Sequence, residues 1–306
     1  MTKMRKAQIK IITEPVVIPI ATTHVLTNGL ADVARWVHEE RPECFPFDGP
    51  IPNDMPVEDL AMSLFPHNGT GCYDSELLVE FAGRTCYHSY GEKAGRKTNA
   101  EYIAHTQKGD IPHASIMYHP SFTFFIAGVS RRLSQELMRH NIGAERDWRG
   151  NPSQESTRYT EHVGSYVAHP RDLIAEANGR PRPLETFRDK CQRDYDDYLW
   201  YIDAEITDYK IQHDGREPKG MDRKRIFEAA AQRHGWGFSS SFVWTGNAVS
   251  LGKLFKEREH EASDLEFQRL AKKWRPIAVA LAPNLYPQYA KDLGMDLSAL
   301  VTAHGF

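Results

Sequence analysis

Residues 130–159 read SRRLSQELMRHNIGAERDWRGNPSQESTRY, and this stretch predicts the centre around which the chain folds. It holds six arginines and no lysine. An arginine presents a planar fork of donors that orients phosphate or carboxylate, whereas lysine serves equally well where only solubility is needed. The stretch therefore predicts an anion-binding site. The alternative is a solvated charged face, with internal ion pairs to Glu136, Glu145, Asp147 and Glu155.

The order of residues within the stretch favours the anion site. Leu133 and Leu137 recur at helical spacing, so Arg139 and His140 fall at a helix end beside the core. A loop is predicted next by Gly143, Gly150, Asn151 and Pro152. Residues 153–159 then bring hydroxyl, amide and carboxylate side chains back in close succession. A helix end and a returning polar turn can converge on one ligand.

Four segments resemble the flavin-dependent thymidylate synthases. They are HPSFTF at 119–124, GVSRRLSQELMRH at 128–140, QESTRY at 154–159 and VWTGNAVSLGKLFKEREHEASDLEFQRLA at 243–271. The family signature is Arg-His-Arg, a short spacer and a serine that begins Ser-x-Arg-Tyr. This chain has Arg139-His140-Asn141 and then fourteen residues before Ser156, so the third basic residue is replaced and the loop is longer. The resemblance covers roughly residues 77–287.

The resemblance implies an α/β fold in which helices surround a mixed sheet, with an N-terminal extension or insertion. A single catalytic domain would span residues 1–306, with an insertion at about 40–71 and an enlarged loop at 141–153. Members of the family are homotetramers whose active sites lie between subunits. A homotetramer is therefore implied here as well.

The implied activity is reductive methylation of uracil C5 in a pyrimidine nucleoside monophosphate. dUMP would become dTMP, with methylenetetrahydrofolate as carbon donor, FAD as cofactor and NADPH as reductant. UMP is held open as a second substrate, as in a resembling methylase of nucleoside-antibiotic pathways, because the signature loop is reshaped. The alternative is a noncatalytic nucleotide-binding protein that kept the anion site and lost the flavin, since Asn141, Val249 and Lys253 replace family residues.

By position, the resemblance implies two sets of site residues. The nucleotide would be held by Glu136, Arg139, Gln154, Glu155, Ser156, Thr157, Arg158 and Arg258. The flavin would be held by Cys86, His113, Ser115, Arg139, His140, Asn141, Asn247 and Lys253. Arg258 and Ser156 are the expected catalytic groups, since Arg258 would stabilise charge developing on the uracil ring. Ser156 is interpreted as a hydrogen-bonding ligand, because no histidine or lysine base is placed to activate it as a nucleophile.

Two of these residues also have structural interpretations. Arg258 falls on an apolar helical stripe, where a charge needs a neutralising partner, and a structural carboxylate is the alternative to the nucleotide. Cys86 lies in RTCYHSY at 84–90, which resembles the first flavin-contacting turn of the family, but a single cysteine is more often a small core residue. A phosphate-binding arginine of the family would fall near Ala231 or Arg233.

Composition excludes several classes of function. A formal net charge of −3 provides no overall positive electrostatic potential to hold a nucleic-acid backbone. No apolar run approaches the roughly 18 residues of a membrane span. The four cysteines form no CxxC pair and no signal-peptide pattern is present, so a cytoplasmic location is expected. His113 and His119 do not have the spacing of metal ligands, so no metal is expected.

Hydrophobic periodicity predicts the main elements. Strands are expected within residues 7–20, 121–126 and 162–170, and helices at 29–37, 75–85, 98–108, 183–212, 223–234 and after Asn247. Residues 41–56 contain five prolines and predict an ordered surface loop. Pro276 predicts a bend or break in the last long helix, and Pro283 predicts its end.

Overall fold

A central antiparallel sheet carries the segments that flank the arginine-rich stretch. The structure is a computed structural model, and it describes residues 7–45, 49–65, 72–95, 97–108, 113–139 and 151–294. The strands are β1 (Lys10–Ile12), β2 (Val16–Thr22), β3 (Ser121–Ser130), β4 (Asn151–Gln154), β5 (Ser165–Val167) and β6 (Ser239–Asn247). β2, β3, β6 and β4 pair antiparallel in that order, whereas β1 pairs with β5 in parallel.

Helices surround these strands, and the predicted mixed α/β fold is confirmed. The helices are α1 (Thr27–Glu40), α2 (Val57–Met62), α3 (Asp74–Tyr87), α4 (Asn99–Thr106), α5 (Arg131–Arg139), α6 (Pro170–Ala177), α7 (Arg182–Gln212), α8 (Met221–Ala230), α9 (Ala248–Arg258), α10 (Leu265–Leu281) and α11 (Pro287–Asp292). Short 3-10 turns lie at Pro42–Cys44, Gly91–Ala94, Ala114–Tyr118, Ala231–Arg233 and Pro283–Leu285.

The main core lies between the sheet and helices α9 and α10. Alternate residues of β3 point into it, and Phe122, Phe124 and Ile126 are fully buried. The ring of Trp274 on α10 packs edge-on against Phe124 and Trp244, with centroid distances of 5.3 and 4.9 Å. This packing joins α10 to the middle of β3 and β6, where Phe124 and Trp244 pair, and α5 and α9 begin at the residue after each strand. The site segments therefore extend directly from the rigid sheet.

A second core forms near the N-terminus. Residues 25–45 and 49–65, here called the N-terminal helical unit, contain α1 and α2. Leu30, Val37 and Leu60 are buried in a cluster that also takes in Tyr90, from the segment after α3. The region 40–71, predicted as an insertion, thus contributes a helix to this cluster.

One prediction about helices is wrong. The chain after Asn247 does not form one helix, because the Asp264 side chain accepts hydrogen bonds from the backbone N–H groups of Glu266 and Phe267 and so caps a new helix. α10 also continues through Pro276 without a break and ends at Leu281, just before Pro283.

The predicted loop at 141–153 overlaps a strand at its end. Residues 151–154 form β4, which pairs with β6 through the register Asn151 to Thr245. Pro152 lacks an N–H donor, but β4 lies at the edge of the sheet, where proline is tolerated. Residues 140–150 lie outside the described residues.

Candidate active site

Helix α5 is anchored at its first turn by one buried and one partly buried carboxylate. Ser130 donates from its backbone N–H to Glu266 Oε1 at 2.7 Å and from its hydroxyl to Glu266 Oε2 at 2.6 Å. Arg132 donates to both carboxylate oxygens of Asp264, at 2.9 and 2.8 Å. Leu133 and Leu137 are buried on the core side of the helix, as predicted. α5 is therefore fixed against the start of α10, and Arg132 has a structural role.

The returning strand β4 is fastened to the same helix. The Gln154 side-chain amide donates to the hydroxyls of Ser134 and Ser240, at 2.7 and 2.8 Å. The Glu155 backbone N–H donates to the carbonyl of Ser241 at 2.9 Å, which continues the pairing with β6. The polar turn converges here with the first turn of α5, whereas the sequence predicted convergence with the other end of the helix, at Arg139 and His140. Gln154 uses its amide donors on protein hydroxyls.

A small polar cavity opens beside this turn. Arg131, Glu155, Thr157 and Thr160 line it, together with Phe238, Ser239, Ser240 and His162. The guanidinium of Arg131 lies 5.8 Å from the centroid of the Phe238 ring and donates to the Glu155 carbonyl at 3.3 Å. Partial burial lowers the pKa of Arg131, whereas the charge of Glu155 raises it. A desolvated cation beside several hydroxyls suits an anion such as phosphate.

Arg131 is a candidate ligand that the sequence reasoning missed. The arginine belongs to the quoted stretch, but it was not among the predicted site residues. The sequence does place Arg131 directly after a predicted strand. The geometry of the first turn of the next helix then determines which of Arg131 and Arg132 faces the cavity. That choice depends on Asp264, 132 residues away from Arg132.

Arg258 lies at the end of α9, where it meets α5. Its Nη1 donates to Glu136 Oε1 at 2.6 Å, and its guanidinium lies 4.8 Å from the centroid of the Phe267 ring. The Arg258 and Glu136 side chains are 19% and 28% exposed. The predicted carboxylate partner therefore exists, and the pair remains within reach of solvent. Both residues were predicted to bind the nucleotide, and the structure brings them together.

The predicted signature residues at the turn are partly exposed. Arg158 forms an ion pair with Glu228 of α8, with 2.8 Å between Nη2 and Oε2, and both side chains are about half exposed. The Ser156 hydroxyl accepts a hydrogen bond from the Arg158 backbone N–H at 3.3 Å. His140 and Asn141 lie outside the described residues, as does the side chain of Arg139.

The residues predicted to hold the flavin fall into two groups. Cys86 is exposed near the end of α3, so its interpretation as a core residue is wrong. The exposed Tyr87 ring packs edge-on against His113 with 5.9 Å between centroids, and Ser115 is exposed in the following 3-10 turn. Tyr87 was not predicted. These side chains form an accessible face with aromatic and hydrogen-bonding groups.

The second group lies at the start of α9. Asn247 is buried, and its Oδ1 accepts hydrogen bonds from the backbone N–H and the hydroxyl of Ser250, both at 2.9 Å. This places Asn247 as the cap of α9. Lys253 is exposed on the next turn of the helix. Near the end of α8, the guanidinium of Arg233 lies 3.9 Å from the centroid of the Tyr201 ring.

Neither a cluster of metal ligands nor a membrane-spanning helix occurs among the described residues. Within them, no group of three or more histidine, cysteine or acidic side chains is placed to hold a metal ion. No helix among them is long and apolar enough to cross a membrane.

Comparison with known proteins identifies the family. The family model described as Thymidylate synthase complementing protein matches residues 70–284. A flavin-dependent thymidylate synthase from Mycobacterium sp. (strain KMS) is 30% identical over 244 residues, which cover 78% of this chain and 85% of that relative. The chain belongs to the flavin-dependent thymidylate synthase family. The resemblance stated from the sequence is therefore confirmed.

Other members extend the comparison. The flavin-dependent thymidylate synthase of Mycobacterium tuberculosis (strain ATCC 25618 / H37Rv) is 30% identical over 228 residues, or 74% of this chain and 84% of that protein. Among solved structures, the UMP/dUMP methylase PolB from Streptomyces cacaoi, bound with 5-Br UMP, superposes with a TM-score of 0.57. It covers 94% of this chain and 98% of its own at 14% identity, which establishes a shared fold.

Proposed function

We propose that this chain methylates uracil C5 in a pyrimidine nucleoside monophosphate, with FAD as cofactor and with methylenetetrahydrofolate and NADPH as co-substrates. dUMP is the primary substrate, and UMP is a second one. The observation that carries the proposal is the convergence of arginine and hydroxyl side chains from α5 and the turn after β4 in a chain of this family. The names of its relatives, including a UMP/dUMP methylase, support the substrate class.

In this proposal the phosphate binds at the turn after β4. Arg131 and Thr157 offer donors from the cavity wall, and Arg158 approaches from its exposed side. Ser156 adds a hydroxyl donor. The nucleotide phosphate must replace Glu228 as the partner of Arg158 or share the guanidinium with it, which is feasible because Glu228 is half exposed and readily rehydrated.

The uracil ring is proposed to bind beside Arg258. C5 becomes nucleophilic when the ring is electron-rich and enolate-like, with negative charge on the ring oxygens, and a fixed guanidinium stabilises that charge. Glu136 holds Arg258 in place at 2.6 Å. Arg139, the last residue of α5, and Gln154 and Glu155, at the end of β4 and just after it, complete the proposed nucleotide site.

The accessible face of Cys86, Tyr87 and His113 fits a planar heteroaromatic cofactor. Tyr87 is 70% exposed and already packs edge-on against His113, so a flavin would cover apolar surface and meet hydrogen-bonding groups there. When bound, FAD supplies the two electrons that convert the transferred methylene into a methyl group, and NADPH restores them. Ser115, His140, Asn141, Asn247 and Lys253 remain proposed flavin contacts.

We also propose that the active site is completed in a homotetramer. Large apolar side chains near the turn after β4 are exposed in the single chain: Tyr159 at 67%, Val163 at 77% and Trp236 at 65%. Burial of such residues between subunits would remove this surface from water. Light scattering during size-exclusion chromatography measures the molar mass of the assembly, and the mass of a monomer would contradict this part of the proposal.

Activity is tested with purified protein, FAD and nucleotide labelled with tritium at C5. Methylation releases the C5 hydrogen to water, so tritium should appear in the solvent and methylated nucleotide should form together. Omission of FAD, NADPH or methylenetetrahydrofolate should each stop product formation. A protein that binds dUMP but cannot be loaded with FAD, and forms no product, would instead be the noncatalytic nucleotide-binding protein.

A further inference from the structure

The last turn of α3 and the residues that follow it, here called the turn, have one exposed face and one anchored face. Residues 85–88 are exposed in succession, between Arg84 at 1% exposure and Tyr90 at 3%. His88 adopts the left-handed conformation, with φ of 47°, which reverses the chain between these two anchors. The exposed residues include Cys86 and Tyr87, the proposed flavin contacts. Both belong to the last turn of α3, so their position depends on what holds the end of that helix.

Tyr90 anchors the turn in the N-terminal helical unit. Its ring is buried in the same core as Leu60 and Cys44, with 6.2 Å between its centroid and that of Phe81 on α3. Its hydroxyl donates to Thr85 Oγ1 at 2.9 Å, back across the turn. One side chain thus connects the helical unit to the exposed residues.

Gly91 makes the closest contact between the turn and the unit. Its N–H donates to the carbonyl of Leu64 at 3.0 Å. Its φ is +52°, and a Cβ at this position would lie 1.9 Å from the carbonyl oxygen of Cys44. Only glycine fits this contact, because any side chain would force the two backbones apart. Lys93 and Glu43 add an exposed ion pair at 2.9 Å.

The turn is also restrained from within. Nη1 of Arg84 donates to the carbonyls of Ser89 and Ala94, at 3.1 and 3.0 Å, and its Nε donates to Glu80 at 2.7 Å. These bonds close the loop from 84 to 94 but do not fix its direction relative to α1 and α2. That direction is set by the contacts of Tyr90 and Gly91, together with the packing of Leu77 and Phe81 of α3 against the same core.

We propose that the N-terminal helical unit is a positioning element for the cofactor. By holding Tyr90 and Gly91, it keeps Cys86 and Tyr87 beside His113 in the orientation that FAD meets. This inference rests on the proposed function, which assigns FAD to that face. The family model begins its match at residue 70, so the unit lies outside the matched region. Tyr90 and Gly91 act through the turn and are positioning residues.

Two glycines of the same segment provide a matched test. Gly95 also has a positive φ, +73°, but a Cβ there would meet nothing within 4 Å. Gly91→Ala and Gly95→Ala therefore impose similar backbone strain, and only Gly91→Ala separates the turn from the unit. We expect Gly91→Ala to weaken FAD binding by about tenfold or more, because displaced contacts lose their alignment. Gly95→Ala should change it by less than about twofold.

The dissociation constant for FAD is measured by quenching of flavin fluorescence. The dissociation constant for dUMP is measured on the same samples. dUMP affinity should stay within about twofold in both variants. Tyr90→Phe keeps the ring in the core and removes only the bond to Thr85, so it serves if Gly91→Ala fails to fold. It should weaken FAD binding by about threefold.

The outcomes separate this inference from the proposed function. If the unchanged protein binds FAD and neither Gly91→Ala nor Tyr90→Phe weakens it more than Gly95→Ala does, the positioning role is refuted alone. Equal losses of FAD and dUMP affinity would also refute it, since they would indicate general damage to the fold. If the unchanged protein does not bind FAD, the proposed function itself fails and this inference fails with it.

Discussion

Replacement of Arg258 by alanine distinguishes a substrate ligand from a structural ion pair. The change removes the 2.6 Å hydrogen bond to Glu136 and the contact with the Phe267 ring. Such a charged hydrogen bond contributes about 1.5–3 kcal/mol when well buried, and the ring contact about 0.5–1 kcal/mol. Solvent reaches both partners, so we expect the free energy of unfolding to fall by only about 1–2 kcal/mol.

The expected loss in nucleotide binding is larger. A guanidinium that contacts the uracil ring contributes about 2–3 kcal/mol, which raises the dissociation constant for dUMP about 30- to 150-fold. Methylation should fall below detection, because the developing charge on the ring loses its stabilising group. Denaturant unfolding and dUMP titration on the same preparation measure both effects.

Glu136→Gln and the double variant complete the cycle. The glutamine keeps the size of the side chain and removes its charge. Coupling between the two positions should appear in stability, at about 1 kcal/mol, while the loss of dUMP affinity from Arg258→Ala should persist in the Glu136→Gln background. The reasoning would be refuted if Arg258→Ala cost more than about 4 kcal/mol of stability and the remaining folded protein bound dUMP normally.

Three further predictions concern pH, anchoring and selectivity. Burial lowers the pKa of His162 to about 4 and that of His234 to about 3. Both are then neutral in the folded state but protonated below about 6.5 when unfolded, so stability present at high pH is lost as pH falls. His162 alone should contribute a loss of about 2 kcal/mol between about pH 8 and 5 in denaturant unfolding, and a flat profile would contradict this. Arg132→Ala should lower stability by about 1–3 kcal/mol through loss of the bonds to Asp264, whereas Arg131→Ala should chiefly weaken dUMP binding; equal effects of the two on stability would show that the assigned roles are wrong. Comparison of kcat/KM for dUMP and UMP should show less than about ten-thousandfold discrimination, since a larger ratio is typical of a site built to reject one hydroxyl.

The sequence predicted elements whose pattern is local. The alternation of phenylalanines in β3 and the spacing of Leu133 and Leu137 in α5 each follow from burial of one face. Two local breaks were predicted less well. Pro276 was expected to bend or break its helix, and the helix is not broken, since α10 is continuous there. Asp264 was not expected to begin a helix, because its capping bonds show only in the folded geometry.

The sequence predicted which types of residue form the site, but not which residues pair with one another. The chain separation between partners is large: Arg258 and Glu136 are 122 residues apart, and Arg158 and Glu228 are 70 apart. Periodicity carries no information about such pairs. The sequence therefore predicted that Arg258 needs a carboxylate or a ligand but could not name Glu136. It also gave no sign that Tyr87 and Cys86 would share an exposed face.

The ion pairs of the site determine how a nucleotide can enter it. Arg132 is held by two carboxylates that are mostly buried, so exchange of its partner would leave charges unpaired in the core. Glu228 is half exposed, and water can solvate its carboxylate once Arg158 turns to a phosphate. Arg132, Arg158 and Arg258 therefore differ in the exposure of their acidic partners, and of these three Arg158 is the most readily released to a ligand. Because that exchange replaces one solvated ion pair by another, nucleotide affinity should weaken as salt is raised, and the part contributed by Arg158 should weaken most.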